Sequence, residues 1–183
     1  NSILVLGPVI WTIMASFKKG NNLFSSTFSG IEFTFDHYIT LFTDTPYMQW
    51  YLNTFILATA NMLISLIVVT MTAYVFSRYR FRGKRNTLMS ILVLQMFPAF
   101  LSMTAIYILL SKANLIDTYT GLLLVYVTGS LPFMTWLVKG YFDAIPTSLD
   151  EAAKIDGAGH LTIFIQIILP LAKPILVFVG LVS

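Results

Sequence analysis

Residues 45–77 read TPYMQWYLNTFILATANMLISLIVVTMTAYVFS, with no Asp, Glu, Lys or Arg among them. Crossing the hydrocarbon of a bilayer takes about 20 such residues in a helix. Two further stretches, 86–111 and 118–138, are equally free of charge. The three gaps predict spanning helices with cores at 52–77, 88–110 and 119–138. Trp50, Tyr51, Tyr119 and Trp136 fall near their ends, where amphipathic rings suit the interface. Working outward, 2–17 is apolar but short and predicts a span whose start is missing. A signal peptide fits poorly, because Lys18 and Lys19 follow the apolar segment. At the other end, 161–183, including a cytoplasmic lead-in, predicts a fifth span still in progress at Ser183. The expected fold is therefore an all-α membrane protein, a polytopic helical bundle of at least five spans. It forms one transmembrane domain over 1–183, expected to be truncated at both ends.

Composition agrees. Of 183 residues, 57% are hydrophobic and 10% charged, and the mean hydropathy of +0.80 is beyond what a soluble core uses. The absence of cysteine removes disulfides, thiolate metal sites and a cysteine nucleophile. His37 and His160 are too far apart in sequence for a local metal motif, so no metal is expected. The net charge of +3 comes largely from Arg78, Arg80, Arg82, Lys84 and Arg85 in one short run between apolar stretches. That is a topogenic pattern, and no aromatic platform for nucleic acid interleaves it.

Basic residues set the orientation. The 78–85 loop holds five and the 139–160 region two, against Lys18, Lys19 and Lys112 in the alternate loops. Seven against three places the first two inside. The outside then receives residues 18–49 and a short turn at 114–118.

The loop at 143–160 carries the functional information. Its centre, IPTSLDEAAKIDGAG over 145–159, predicts a short helix. Ser148 and Glu151 have capping-box spacing, Pro146 precedes the start, and Gly157 and Gly159 supply a stop and an exit. Leu149, Ala152, Ala153 and Asp156 recur at i, i+3, i+4, i+7 and share a face kept narrow by the alanines. Such a face can enter a partner's groove and pass its motion into the membrane. Glu151 can equally be a cap, and the alanines simple helix formers; spacing alone leaves both readings open.

Glu151-Ala152-Ala153, three residues, Gly157, nine residues, Ile167, one residue, then Leu169-Pro170 resembles the EAA signature of permease subunits in ATP-binding-cassette importers. The resemblance implies a coupling helix that docks on an ATPase subunit, with Glu151, Ala152, Ala153, Asp156, Gly157 and Ala158 in that role and Leu169 and Pro170 closing the motif. It covers nearly the whole chain and points to the carbohydrate branch. Phe33-Thr-Phe-Asp-His-Tyr38, Leu41-Phe42, Asn53-Thr-Phe, Leu94-Gln-Met-Phe-Pro98, Asp117-Thr118 with Gly121, Leu131-Pro-Phe133 and Ile145-Pro146 carry it there. The chain is most similar to the smaller permease subunit of maltose and maltodextrin importers. That implies a sixth span, a second permease subunit, two ATP-binding subunits that use ATP and magnesium, an extracytoplasmic sugar-binding protein, and a bacterial or archaeal plasma (inner) membrane as the site. No cofactor is expected on this chain itself.

Gln95 beside Pro98, with Tyr107, Tyr126 and Trp136, supplies candidates for the sugar path, because a broken helix at membrane depth frees backbone groups. Asn53, Asn61, Gln166 and Gln95 itself are more readily read as bonding neighbouring helices than as binding sugar. Pro170 and Pro174 are expected to bend the last span, with Lys173 at the inner interface. The alternative function is an ion-coupled secondary transporter or channel subunit. All eight acidic residues fall in predicted loops, so no span offers a carboxylate relay. Gly83-Lys84 is no phosphate loop, since Arg78 and Arg85 occupy the positions of its first glycine and its hydroxyl residue. No acid, base and nucleophile grouping suggests an enzyme.

Overall fold

The computed structural model describes residues 2–19, 33–96 and 99–182. Among them the regular structure is helical: α1 Ser2–Ser16, α2 Asp36–Thr43, α3 Tyr47–Arg78, α4 Lys84–Gln95, α5 Ala99–Lys112, α6 Tyr119–Ala144, α7 Thr147–Ile155, α8 His160–Ile163, a π-helical stretch Phe164–Ile168, α9 Leu169–Leu171 and α10 Lys173–Val182. The chain divides into two compact units, residues 1–54 and 55–183.

In the first unit Phe17, Phe35 and Tyr38 gather their rings within 5.4 to 6.4 Å of one another. The Ser16 and Tyr38 hydroxyls hydrogen-bond at 2.7 Å. His37 Nε2 lies 2.9 Å from the Lys18 carbonyl, and the Thr34 N–H donates to the Phe17 carbonyl. These contacts fasten α2 to the end of α1.

The second unit is built on α3 and α6, the two helices long and apolar enough to cross a membrane. Val69, Ala73 and Tyr74 of α3, Met134, Val138 and Phe142 of α6, and Ile163, Ile168, Ala172 and Val179 of the C-terminal helices form its core. Small and polar residues on the buried face of α3, among them Asn61, Ser65 and Ala73, let helices approach closely, as suits packing in lipid. Large apolar side chains such as Ile56, Leu109 and Leu181 stay exposed. An apolar outer surface of this kind is at home against lipid or partner helices.

The described helices differ in their bounds from the predicted spans. The region predicted as 88–110 is two helices, α4 starting earlier at Lys84 and α5 running on to Lys112. Phe97 and Pro98, between them in sequence, lie outside the described residues. The 161–183 region bends by 79° between His160–Leu171 and Lys173–Val182, where Pro170 and Pro174 were expected to bend it. By length and composition the described helices give two spans, or three if the bent pair counts as one. The helix predicted at 119–138 continues to Ala144 and takes up the first residues of the 143–160 loop. Of the outer segment 18–49, residues 20–32 lie outside the described residues.

Candidate functional site: the α7 loop and its anchors

Pro146, extended at φ −57° and ψ 131°, is the residue from which α7 starts, and no side chain caps the helix. Ser148 therefore sits inside the first turn, and the expected capping box with Glu151 does not form. The reason is positional: the extended proline fixes the boundary two residues before the serine. Glu151 is exposed, so its carboxylate is not occupied as a cap.

The other end follows expectation. Gly157 takes the left-handed conformation at φ +85°. Its N–H donates to the Lys154 carbonyl at 3.0 Å, and the Ala158 N–H donates to the Ala153 carbonyl at 2.9 Å. This is a Schellman stop, whose central position favours glycine because a side chain there strains the backbone. No atom stands within 4 Å of where a Gly157 Cβ would be, so the turn faces open space. Gly159 is extended and begins α8.

The exposed face differs from the one that spacing predicted. Asp150 is buried and Ala153 half-buried, the latter packed on the core together with Ala158. With Asp150 and Ala153 inward, Ser148, Ala152 and Ile155, at i, i+4 and i+7, look outward. Ile155 is 87% exposed. Leu149, Glu151 and Asp156 flank this strip and are also exposed. Ala153 and Ala158 thus seat the helix, while Ala152 belongs to its outer surface.

Several side chains tie α7 and its neighbours to α3. Arg78 Nε lies 2.7 Å from Asp150 Oδ2, with both side chains at most 10% exposed. Arg78 Nη2 donates to the Ile145 carbonyl at 3.0 Å, immediately past α6. The Tyr74 hydroxyl donates to the His160 carbonyl at 3.2 Å, and its ring packs 4.7 Å from that of Phe164. Ser77 Oγ donates to Asp143 Oδ1 at 2.7 Å, and Lys139 pairs with the same carboxylate. Lys84 Nζ donates to the Tyr79 carbonyl at 3.2 Å, just past the end of α3, where a cation complements the helix dipole. In the sequence Arg78 carries only a topogenic signal. Its partner is remote in the chain, and no local pattern joins them.

Leu169 is half-buried and Pro170 exposed, on the short α9 just before the bend. The residues expected along a sugar path are spread over α4, α5 and α6. Gln95 is exposed at the end of α4, and Tyr107 and Tyr126 are exposed on α5 and α6. Tyr107 borders a cavity of about 470 Å³ with Leu115, Asp117 and Tyr119. Trp136 borders a different cavity, about 520 Å³, with Phe81, Lys84, Arg85 and Leu88. The Leu94–Pro98 segment falls partly outside the described residues. Asn61 is buried on α3 and Asn53 half-buried, while Gln166 and Lys173 are exposed.

The model of a family described as the binding-protein-dependent transport system inner membrane component matches residues 67–183, which include α6, α7 and the bent C-terminal helices. The chain belongs to this family. Its helices are therefore those of an inner-membrane transport component. It is 44% identical, over 96% of its length, to the maltodextrin transport system permease protein MdxG of Bacillus subtilis. To the galactooligosaccharides transport system permease protein GanQ of the same organism it is 43% identical over 98%. It spans 63% and 65% of the lengths of these relatives. The fold matches a solved bacterial ABC transporter involved in import of the acidic polysaccharide alginate, with a TM-score of 0.85 and 27% identity over 98% of this chain and 64% of that one.

Proposed function

We propose that this chain is a translocation subunit of an ATP-driven importer and that it passes a neutral oligosaccharide, of maltodextrin type, across the inner membrane. One observation carries the reading. A short helix, α7, joins the long apolar α6 to the C-terminal helices, is anchored from within by Asp150, and presents Ile155 and Ala152 outward. An apolar side chain held out on a helix between membrane segments suits a groove on a soluble partner. The relatives named for maltodextrin and galactooligosaccharide transport support the substrate class.

On this reading Ser148, Ala152 and Ile155, flanked by Glu151, Asp156 and Gly157, dock on an ATP-binding subunit. Ala153, Ala158, Leu169 and Pro170 seat and continue the element. The partners are a second permease subunit, two ATP-binding subunits and an extracytoplasmic sugar-binding protein. ATP and magnesium are used by the ATP-binding subunits, and this chain performs no chemistry of its own. The sugar path runs along exposed parts of α4 to α6, where Gln95, Tyr107 and Tyr126 lie, and the second permease subunit completes it; Trp136 stays a candidate at the opposite end of α6.

The subunit assembled with these partners in proteoliposomes, with binding protein and labelled maltodextrin outside and ATP on the ATPase side, tests the proposal. Uptake is expected only when ATP and binding protein are both present. Uptake driven by a sodium or proton gradient without ATP would refute it.

A further inference from the structure

The Arg78–Asp150 pair is charged, buried and remote in sequence, and docking as proposed does not itself require it. Buried ion pairs contribute little net stability, because desolvating the two charges offsets most of their attraction. Apolar residues of similar volume would hold α7 as firmly. What an arginine adds is a second target, since its fork carries several donors, although its Nε makes only a charge contact with Asp150 and no hydrogen bond. Here one guanidinium meets two targets, Asp150 Oδ2 in the first turn of α7 and the Ile145 carbonyl just past α6.

With Asp150 pinned inward, helical geometry leaves no choice for the rest of α7. Ser148, Ala152 and Ile155 must face out. The neighbouring charged groups are engaged elsewhere: Asp143 with Ser77 and Lys139, and Lys84 with carbonyls at the end of α3. Arg78 is also the last residue of α3, the longest helix, and Tyr74, one turn earlier, holds the His160 carbonyl beyond α7. Both flanks of α7 are thereby fastened to one end of α3.

We infer that Arg78 is a positioning residue for coupling: by gripping Asp150 and the Ile145 carbonyl it sets the rotation of α7 and makes α7 and the last turn of α3 move as one body. This rests on the proposal that α7 docks on an ATP-binding subunit.

The chain has no cysteine, so Arg80→Cys and Lys154→Cys, both at exposed positions, can carry a pair of spin labels in the assembled transporter with cysteine-free partners. One narrow inter-label distance is expected, the same without nucleotide and with ATP trapped. Asp150→Asn is expected to broaden it and to cut sugar moved per ATP at least tenfold, whereas Asp150→Glu restores both. A wild-type distance that shifts when ATP binds overturns the inference. So does an Asp150→Asn complex that keeps both the narrow distance and full coupling. Should Asp150→Asn not assemble, the wild-type distance decides by itself. The docking proposal has a separate readout: a Lys154 label whose mobility ignores the ATP-binding subunits sinks that proposal, whatever the distances show.

Discussion

Gly121 occupies a position where a side chain has no room. A Cβ there would stand 2.1 Å from the Leu115 carbonyl oxygen, while the Gly121 N–H donates to Thr118 Oγ1, the N-cap of α6, at 3.0 Å. Asn114 and Asp117, both at positive φ, fold the preceding turn back to allow this approach. Gly121→Ala should therefore destabilise the protein by about 1–3 kcal/mol, the usual cost of overpacking, seen as a lower Tm in detergent; an unchanged Tm would contradict the close approach. Gly157 is a glycine for a different reason, its left-handed backbone, and that role was legible as a helix stop. The Ser148–Glu151 spacing misled, because capping-box residues signal a boundary only where the backbone before them is free to make it, and Pro146 had already done so. Arg78 was legible as a charge but not as a buried one, since only the fold brings Asp150 to it.

At the scale of elements, α7 has an inside and an outside that its sequence pattern mixes. Periodicity grouped Leu149, Ala152, Ala153 and Asp156, yet burial separates Ala153 from Ala152. An inward aspartate, paired with an arginine remote in sequence, inverts the apolar-inward pattern on which such a grouping rests. On the docking proposed above, Ile155 is the main apolar contact for the ATP-binding subunit. Ile155→Ala should weaken binding of the ATP-binding subunit about 5- to 30-fold, a loss of roughly 1–2 kcal/mol of buried apolar contact, with the permease's own Tm unchanged because the side chain is 87% exposed. Binding measured on nanodisc-held permease checks it; equal affinity would move the docking face elsewhere on the helix. The last helices were read more faithfully. Two prolines one turn apart announced a bend, although the π-helical turn at Phe164–Ile168 left no sequence mark.

For the whole molecule, charge-free gaps located the long helices because the bilayer penalises charge everywhere along a span. They could not count spans, because the end of a helix such as α4 at Gln95 leaves the hydropathy of its surroundings intact. The distribution of Lys and Arg still fixes a testable orientation. With no native cysteine, single Arg82→Cys and Asn114→Cys variants report the two sides. An impermeant maleimide added to intact cells should label Asn114→Cys alone, and Arg82→Cys only after permeabilisation; the reverse pattern would invert the topology and put α7 outside, where no ATPase could reach it.

If α7 couples ATP hydrolysis to sugar movement as proposed, Gly157→Asp in the reconstituted transporter should uncouple the two. Asp tolerates the left-handed backbone better than most residues, and the site opens on free space, so the variant should fold and assemble while placing charge and bulk on the docking turn. The expected result is an assembled complex that has lost both sugar uptake and sugar-stimulated ATP hydrolysis. A Gly157→Asp complex that imports sugar at the wild-type rate would contradict it.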